Sequence, residues 1–362
     1  MKTFKVLTMA AATLVLGLSS CTKEKGAETS SADTYKVTLS FKNAETRADG
    51  AAAVQGTKVI INSGYICFVS ANDAITDVYT ISDDPTGGKN IKNSDLGSTA
   101  VNLNNVPGTS TKVYMIANKG TIANLPTPVV GNTMTDYMKN NMDVRDQSDY
   151  TKVTSIDNAS LQDSGTPGVK NAALTLSTKV ARIQIKGITF EGNVTGKVAG
   201  IFINGYYSTM QLNGTGGTLK GSTIGTDYDE DGAGSVFPSE LGSYVFDKVD
   251  KPIAATVKPT TTDGVWGYNL FVSATPQIII KLSNVFVDGH ELTDPLFITI
   301  NGFKNGGTAI TNLAGGMIYT INTESLILKY EDMSTEPGTT PFQVDVTVTT
   351  VEWQETVVTP NI

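Results

Sequence analysis

Short runs rich in Val, Ile, Tyr and Phe recur along this chain, at 35–41, 58–69, 112–117, 181–188, 266–272, 277–282 and 297–300. Each is bounded by residues that favour turns, and this punctuation predicts an all-β protein of many short strands. The connections include Thr86-Gly87-Gly88, Asn213-Gly214-Thr215-Gly216-Gly217 and Asn305-Gly306-Gly307, whose glycine and asparagine reach turn conformations without steric cost. Short strands joined in this way are expected to pack as β-sandwiches. One segment departs from the pattern. Met134, Tyr137, Met138 and Met142 fall at helical spacing after the capping candidates Asn132 and Thr133, which predicts a short amphipathic helix with its methionines used for packing. At 362 residues the chain is long enough for two domains of about 150 residues each, with the boundary expected near residue 178.

The first twenty residues stand outside that fold. Lys2 and Lys5 precede a largely apolar stretch, then Leu18, Ser19, Ser20 and Cys21, the layout of a removable export signal ending at a lipid-acceptor cysteine. The apolar part is too short for a membrane span of roughly 20 residues. Residues 1–20 are therefore expected to be a lipoprotein signal peptide and Cys21 the acylated first residue of the exported chain, each buried methylene contributing about 0.8 kcal/mol to anchoring. Cys67 is the other cysteine and reads as a small core residue. With 27 basic against 35 acidic residues and a net charge of -8, nucleic acid is not expected as a partner, because phosphate binding needs clustered cations.

Two segments near the ends of the chain alternate, the first of them strictly. In Tyr35-Lys36-Val37-Thr38-Leu39-Ser40-Phe41 one face can enter a core while the other meets water. The polar and small-residue stretch that follows holds Arg47-Ala48, of the kind proteases reach. At the other end Phe342, Val344, Val346 and Val348 alternate with polar residues, and Val351 and Trp353 continue after a register change expected near Thr349 and Thr350. Such a tail either completes its own domain or is offered to another chain, since an open sheet edge is a template for strand addition.

No catalytic constellation is found. Asp227, Asp229 and Asp231, with Gly232, resemble the first half of a calcium loop; the position of the bidentate glutamate is taken by Pro238, and Glu240 comes two residues late, so a solvated acidic loop is the expected reading. His290 is the single histidine, in Val287-Asp288-Gly289-His290-Glu291, a hairpin turn that offers no triad. No cluster has metal-ligand spacing, and neither a cofactor nor an enzymatic activity is expected. Trp266 and Trp353 are expected in core or interface positions, with stacking on a glycan as the alternative.

Taken in order, Cys21, Arg47-Ala48, Val113-Tyr114-Met115-Ile116-Ala117-Asn118, Lys179-Val180-Ala181-Arg182-Ile183-Gln184-Ile185, Leu313-Ala314-Gly315-Gly316-Met317-Ile318-Tyr319 and the segment from Val344 to Trp353 resemble the major fimbrial subunits of Bacteroidales, the FimA-type fimbrillins that build type V pili. The resemblance extends over most of the chain. It implies two tandem transthyretin-like β-sandwiches: a propeptide at 21–47 with a removable first strand (Tyr35, Val37, Leu39, Phe41), an N-terminal domain at 48–178, and a C-terminal domain at 179–362 whose tail, about 341–362, is a donor strand. It also implies delivery to the outer membrane as a lipoprotein, cleavage between Arg47 and Ala48 by an arginine-specific protease, and growth of an extracellular fimbrium as a homopolymer. Minor tip and anchor subunits would be further partners, and adhesion to host or bacterial surfaces the role. Arg145 is the main competing cleavage site, since Arg182 lies in a strand pattern that should protect it. Replacing four strand side chains at about 1.5 to 3 kcal/mol each would return roughly 6 to 12 kcal/mol before ordering costs. A subunit with both a removable strand and a tail fits a stalk position rather than a tip or an anchor. The alternative is a non-polymerising surface lipoprotein that binds glycan or host protein through its sandwich loops.

Overall fold

The computed structural model describes residues 34–44, 61, 63–83, 89–96, 100–118, 125–143, 154–220, 246–260, 264–271, 274–292, 295–338, 341–350 and 353–354. Cys21, Arg47, Ala48, Arg145, Asp227, Asp229, Asp231 and Val351 lie outside these residues. Among the described residues the chain is all-β with one short α-helix, as its turn-punctuated apolar runs predict, and its strands form two sandwiches in tandem.

In the first sandwich, one sheet is built on the leading strand Thr34–Ala44, which lies parallel to Val169–Thr175 and antiparallel to Val101–Pro107. The facing sheet runs through Ser155–Ser160, Ser110–Ala117, Gly64–Ser70 and Ile75–Ile81, all antiparallel. Alternation sends Ile66 and Phe68 inward, against Leu103, Met115 and Leu174. The same alternation sends Tyr65, Cys67 and Val69 to the outer face, which is also buried.

The expected helix packs on that outer face. Helix geometry lasts only for Met134–Tyr137, capped by the Thr133 side chain on the Asp136 amide. Hydrogen bonds from the Lys139 and Asn140 amides back to Asp136 and Tyr137 then turn the chain. Met142 accordingly sits on a strand, Asn141–Asp143, paired with Tyr206–Gln211 of the second sandwich. Its packing role survives the change of conformation, because Met134, Tyr137 and Met142 are buried in one cluster and Met138 packs against it.

The second sandwich sets the sheet of Trp266–Phe271, Val180–Ile185, Met317–Ile321 and Thr347–Thr350 against a larger one containing Phe246–Pro252, Val194–Asn204, Gln277–Val287 and Leu296–Asn305. Trp266 belongs to the core between them, as expected. His290 closes the two-residue turn that follows Val287, with Asp288 and Gly289 at φ of 51° and 80°, a primed hairpin turn. Val180, Phe271 and Ile318 point away from this core and join Met210 and Leu212 in the cluster over the outer face of the first sandwich. An apolar layer therefore joins the two sandwiches.

Candidate functional site

The leading strand inserts a row of apolar side chains between two neighbours. Val37 and Leu39 are fully buried in the first core, and Tyr35 is half-buried at its margin. The Lys170 ammonium lies 4.8 Å from the centre of the Tyr35 ring, a cation–π contact, and the Thr38 hydroxyl donates to Asn102 Oδ1 at 2.8 Å. Pairing with Val169–Thr175 runs from Lys36 to Lys42 and places Phe41 opposite Leu174. On the other side, pairing with Val101–Pro107 runs from Thr34 to Leu39. A slot without this strand would be flanked by two strands with unpaired backbone groups and floored by apolar side chains. Val37 and Leu39 alone account for roughly 3 to 6 kcal/mol of burial.

The tail has a different seat. Pro341–Asp345 lies parallel to Leu296–Asn305 in the larger sheet of the second sandwich, and Thr347–Thr350 lies antiparallel to Met317–Ile321 in the smaller one. Val344 and Val346 are buried in the second core, with Phe342 and Val348 packed against it. The change of partner falls at Val346, whose amide still donates to Lys304 O at 2.7 Å. The alternation of buried and exposed residues continues through it; the register change expected near Thr349 and Thr350 runs on to Val351, outside the described residues. The tail turns the corner between two sheets without a break in face. Beyond Thr350, Trp353–Gln354 pairs antiparallel with the end of the leading strand, Asn43 opposite Gln354 and Ala44 opposite Trp353.

Arg182 is buried on Val180–Ile185. Its guanidinium donates to Asn269 Oδ1 at 3.0 Å and fills the space that a Cβ on Gly267 would need. As expected of a protected strand residue, it is a poor protease target. Among the described residues, no group of three or more His, Cys, Asp or Glu is placed to hold a metal ion, and no helix is long and apolar enough to cross a membrane. Between the two sandwiches an open cleft of about 400 Å³ is lined by Tyr114, Asn158, Lys179 and Asn213 among others. The apolar layer beside it has a signal in the sequence, since Val180, Phe271 and Ile318 make both faces of their strands apolar at one end.

No protein-family model matches the sequence, and no curated protein matches it. Solved structures do share its fold. A protein from Bacteroides eggerthii, provisionally described as a cell adhesion protein, superposes with a TM-score of 0.52 at 16% identity, covering 89% of this chain and 97% of that one. A protein of the same description from Parabacteroides distasonis gives a TM-score of 0.52 at 12% identity, covering 91% and 99%. A fimbrilin from Porphyromonas gingivalis gives 0.49 at 11% identity, covering 88% and 98%. The first two define the class to which the architecture belongs: the all-β tandem-sandwich fold of these Bacteroidales proteins, matched along nearly their whole length.

Proposed function

We propose that this chain is a stalk subunit of a cell-surface fimbrium. It is exported as a lipoprotein precursor acylated at Cys21, cut between Arg47 and Ala48, and polymerised when a neighbouring subunit's tail fills the slot left by the leading strand. One observation carries the reading: a strand that fills the first core with Val37 and Leu39 is followed within three residues of Ala44 by the candidate cleavage site. The alternating tail offers a replacement of similar pattern, with Phe342, Val344, Val346 and Val348 in the places of Tyr35, Val37, Leu39 and Phe41. Identical subunits joined head to tail in this way do not close on themselves and therefore grow as a fibre. The partners are then copies of the same chain, an arginine-specific protease, and minor tip and anchor subunits.

The test is direct. Purified precursor should remain monomeric, and cleavage after Arg47 should produce polymers visible by negative-stain microscopy. Native fibres should be lost with Arg47→Ala. Fibres that persist in that variant, or cut protein that stays monomeric at high concentration, would end this reading.

The seat of the tail favours a second reading. Because Val344 and Val346 complete the chain's own second core, a non-donating role is also supported: a tip subunit, or a surface lipoprotein binding glycan or host protein. Mass spectrometry of the surface form separates the stalk subunit from the surface lipoprotein, since a mature stalk subunit starts at Ala48 and a retained lipoprotein at acylated Cys21.

A further inference from the structure

The leading strand and the tail converge on one place. The leading strand runs parallel to Val169–Thr175, which continues through Ser177–Thr178 into Val180–Ile185, a strand of the second sandwich. It therefore ends at the junction of the two sandwiches. The tail arrives there from the other side: Thr350 lies opposite Met317, whose neighbour Ile318 belongs to the apolar layer between the sandwiches. At the junction the two segments pair, Ala44 with Trp353 and Asn43 with Gln354. The pairing lies beyond the last residue that either neighbour of the leading strand reaches, Leu39 on one side and Lys42 on the other.

We propose that the end of the leading strand is a latch that holds the tail on its own domain, so that a single removal both opens the slot and frees the tail. The consequence for assembly rests on the strand-exchange reading given above; the latch itself does not. Its logic is one of timing. A precursor with a free tail could add to any opened neighbour before it had itself been processed. Here the tail's end is tied to the one segment whose loss marks the subunit as processed. The tie is weak, as a latch must be. Two backbone hydrogen bonds of ordinary net strength bias the tail toward the held position by roughly 5- to 150-fold. What keeps the latch in place is the seating of the leading strand in the first core, not the two-residue ladder itself.

Disulfide trapping tests the contact. In the full chain with Cys21→Ser, the pair Ala44→Cys and Trp353→Cys should cross-link on mild oxidation in most molecules, since directly opposed strand residues meet disulfide geometry. The control pair, Ala44→Cys with Thr350→Cys, should not. Absence of the cross-link, or equal yield from the control, overturns the proposal. Deuterium uptake then tests the release. Amides of residues 342–354 should exchange slowly in uncut chain, roughly 5- to 150-fold faster once the segment ending at Arg47 has been cut and removed, and slowly again in cut but oxidised chain until reductant is added. Uptake that is unchanged by removal of the leading strand overturns the latch. Light scattering separates this result from the parent reading. Freed tails without polymers would leave the latch standing and sink strand exchange, whereas polymers formed with no change in tail uptake would do the reverse.

Discussion

The leading strand and the tail are built to the same pattern but held in opposite ways. Both alternate, and both send valine-type side chains into a core. The leading strand has a neighbour on each side where its two ladders overlap, between Lys36 and Leu39, whereas among the described residues each half of the tail pairs with a single strand, in a different sheet for each half. Covalent connection runs the other way in its consequences: the central strand precedes a candidate cleavage site, while the edge-bound tail continues directly from the second sandwich. The lesson is that a segment fit for removal need not be loosely packed. It needs only to be separable in sequence, and on the strand-exchange proposal the segment that would have to move, the tail, is the one with fewer pairings to give up.

The largest effect expected from this contrast is at Leu39. Leu39→Asp would bury an unpaired carboxylate among Phe68, Met115 and Leu174 and should destabilise the first sandwich by on the order of 3 to 5 kcal/mol, measured by urea unfolding. The matching truncation in the tail, Val344→Ala, should cost about 2 kcal/mol of second-sandwich stability from two lost methyl groups and a small cavity. The like-for-like comparison is with Leu39→Ala, expected to cost about 2 to 5 kcal/mol; were Val344→Ala to cost as much, the difference between a central and an edge seat would carry no energetic weight.

Alkaline pH sharpens the comparison by reading the far face of the same sandwich. Burial pushes the Cys67 thiol from its ordinary value near 9 up to about 12. A folded-state value raised in this way means that the folded chain holds the proton more tightly. Stability is therefore complete below pH 9 and is lost as pH rises from 9 toward 12, by on the order of 4 kcal/mol. Tyr79, in the core beneath the leading strand, is also pushed up to about 12, by burial and then by Asp77, and adds in the same direction. Cys67→Ala should flatten the unfolding profile between pH 9 and 12. In wild-type protein, alkylation of Cys67 should remain slow after the leading strand is removed, because Cys67 faces the apolar layer and not the slot. Rapid alkylation would mean that the whole first sandwich unravels.

The two alternating segments are readable in the sequence because a period of two reports which residues share a face. It reports nothing about which strand lies alongside, so the parallel pairing of the leading strand with Val169–Thr175 has no local signal. The same limit applies at Met142, where spacing identifies a residue that packs with Met134 and Tyr137 but not the turn that moves it onto a strand. Burial of Arg182 and Gln184 is equally non-local: the partners that make it tolerable, Asn269 and Thr320, lie far along the chain. The tail's corner at Val346 leaves the alternation intact, so only its neighbours reveal it.

The smallest expected effect tests how firmly the leading strand is held at its exposed start. Lys170 contacts the Tyr35 ring at 4.8 Å and makes an ion pair of 3.2 Å with the largely exposed Asp163. The exposed pair contributes little, so the cation–π contact, about 0.5 to 1 kcal/mol, should dominate. Lys170→Ala should therefore speed loss of the cut leading strand by roughly 2- to 5-fold if the contact is already broken in the transition state for release. Asp163→Ala should leave the rate near that of wild type. Following release of the peptide by size exclusion at several times after cleavage measures both, and equal acceleration by the two variants would move the hold from the aromatic ring to the ion pair.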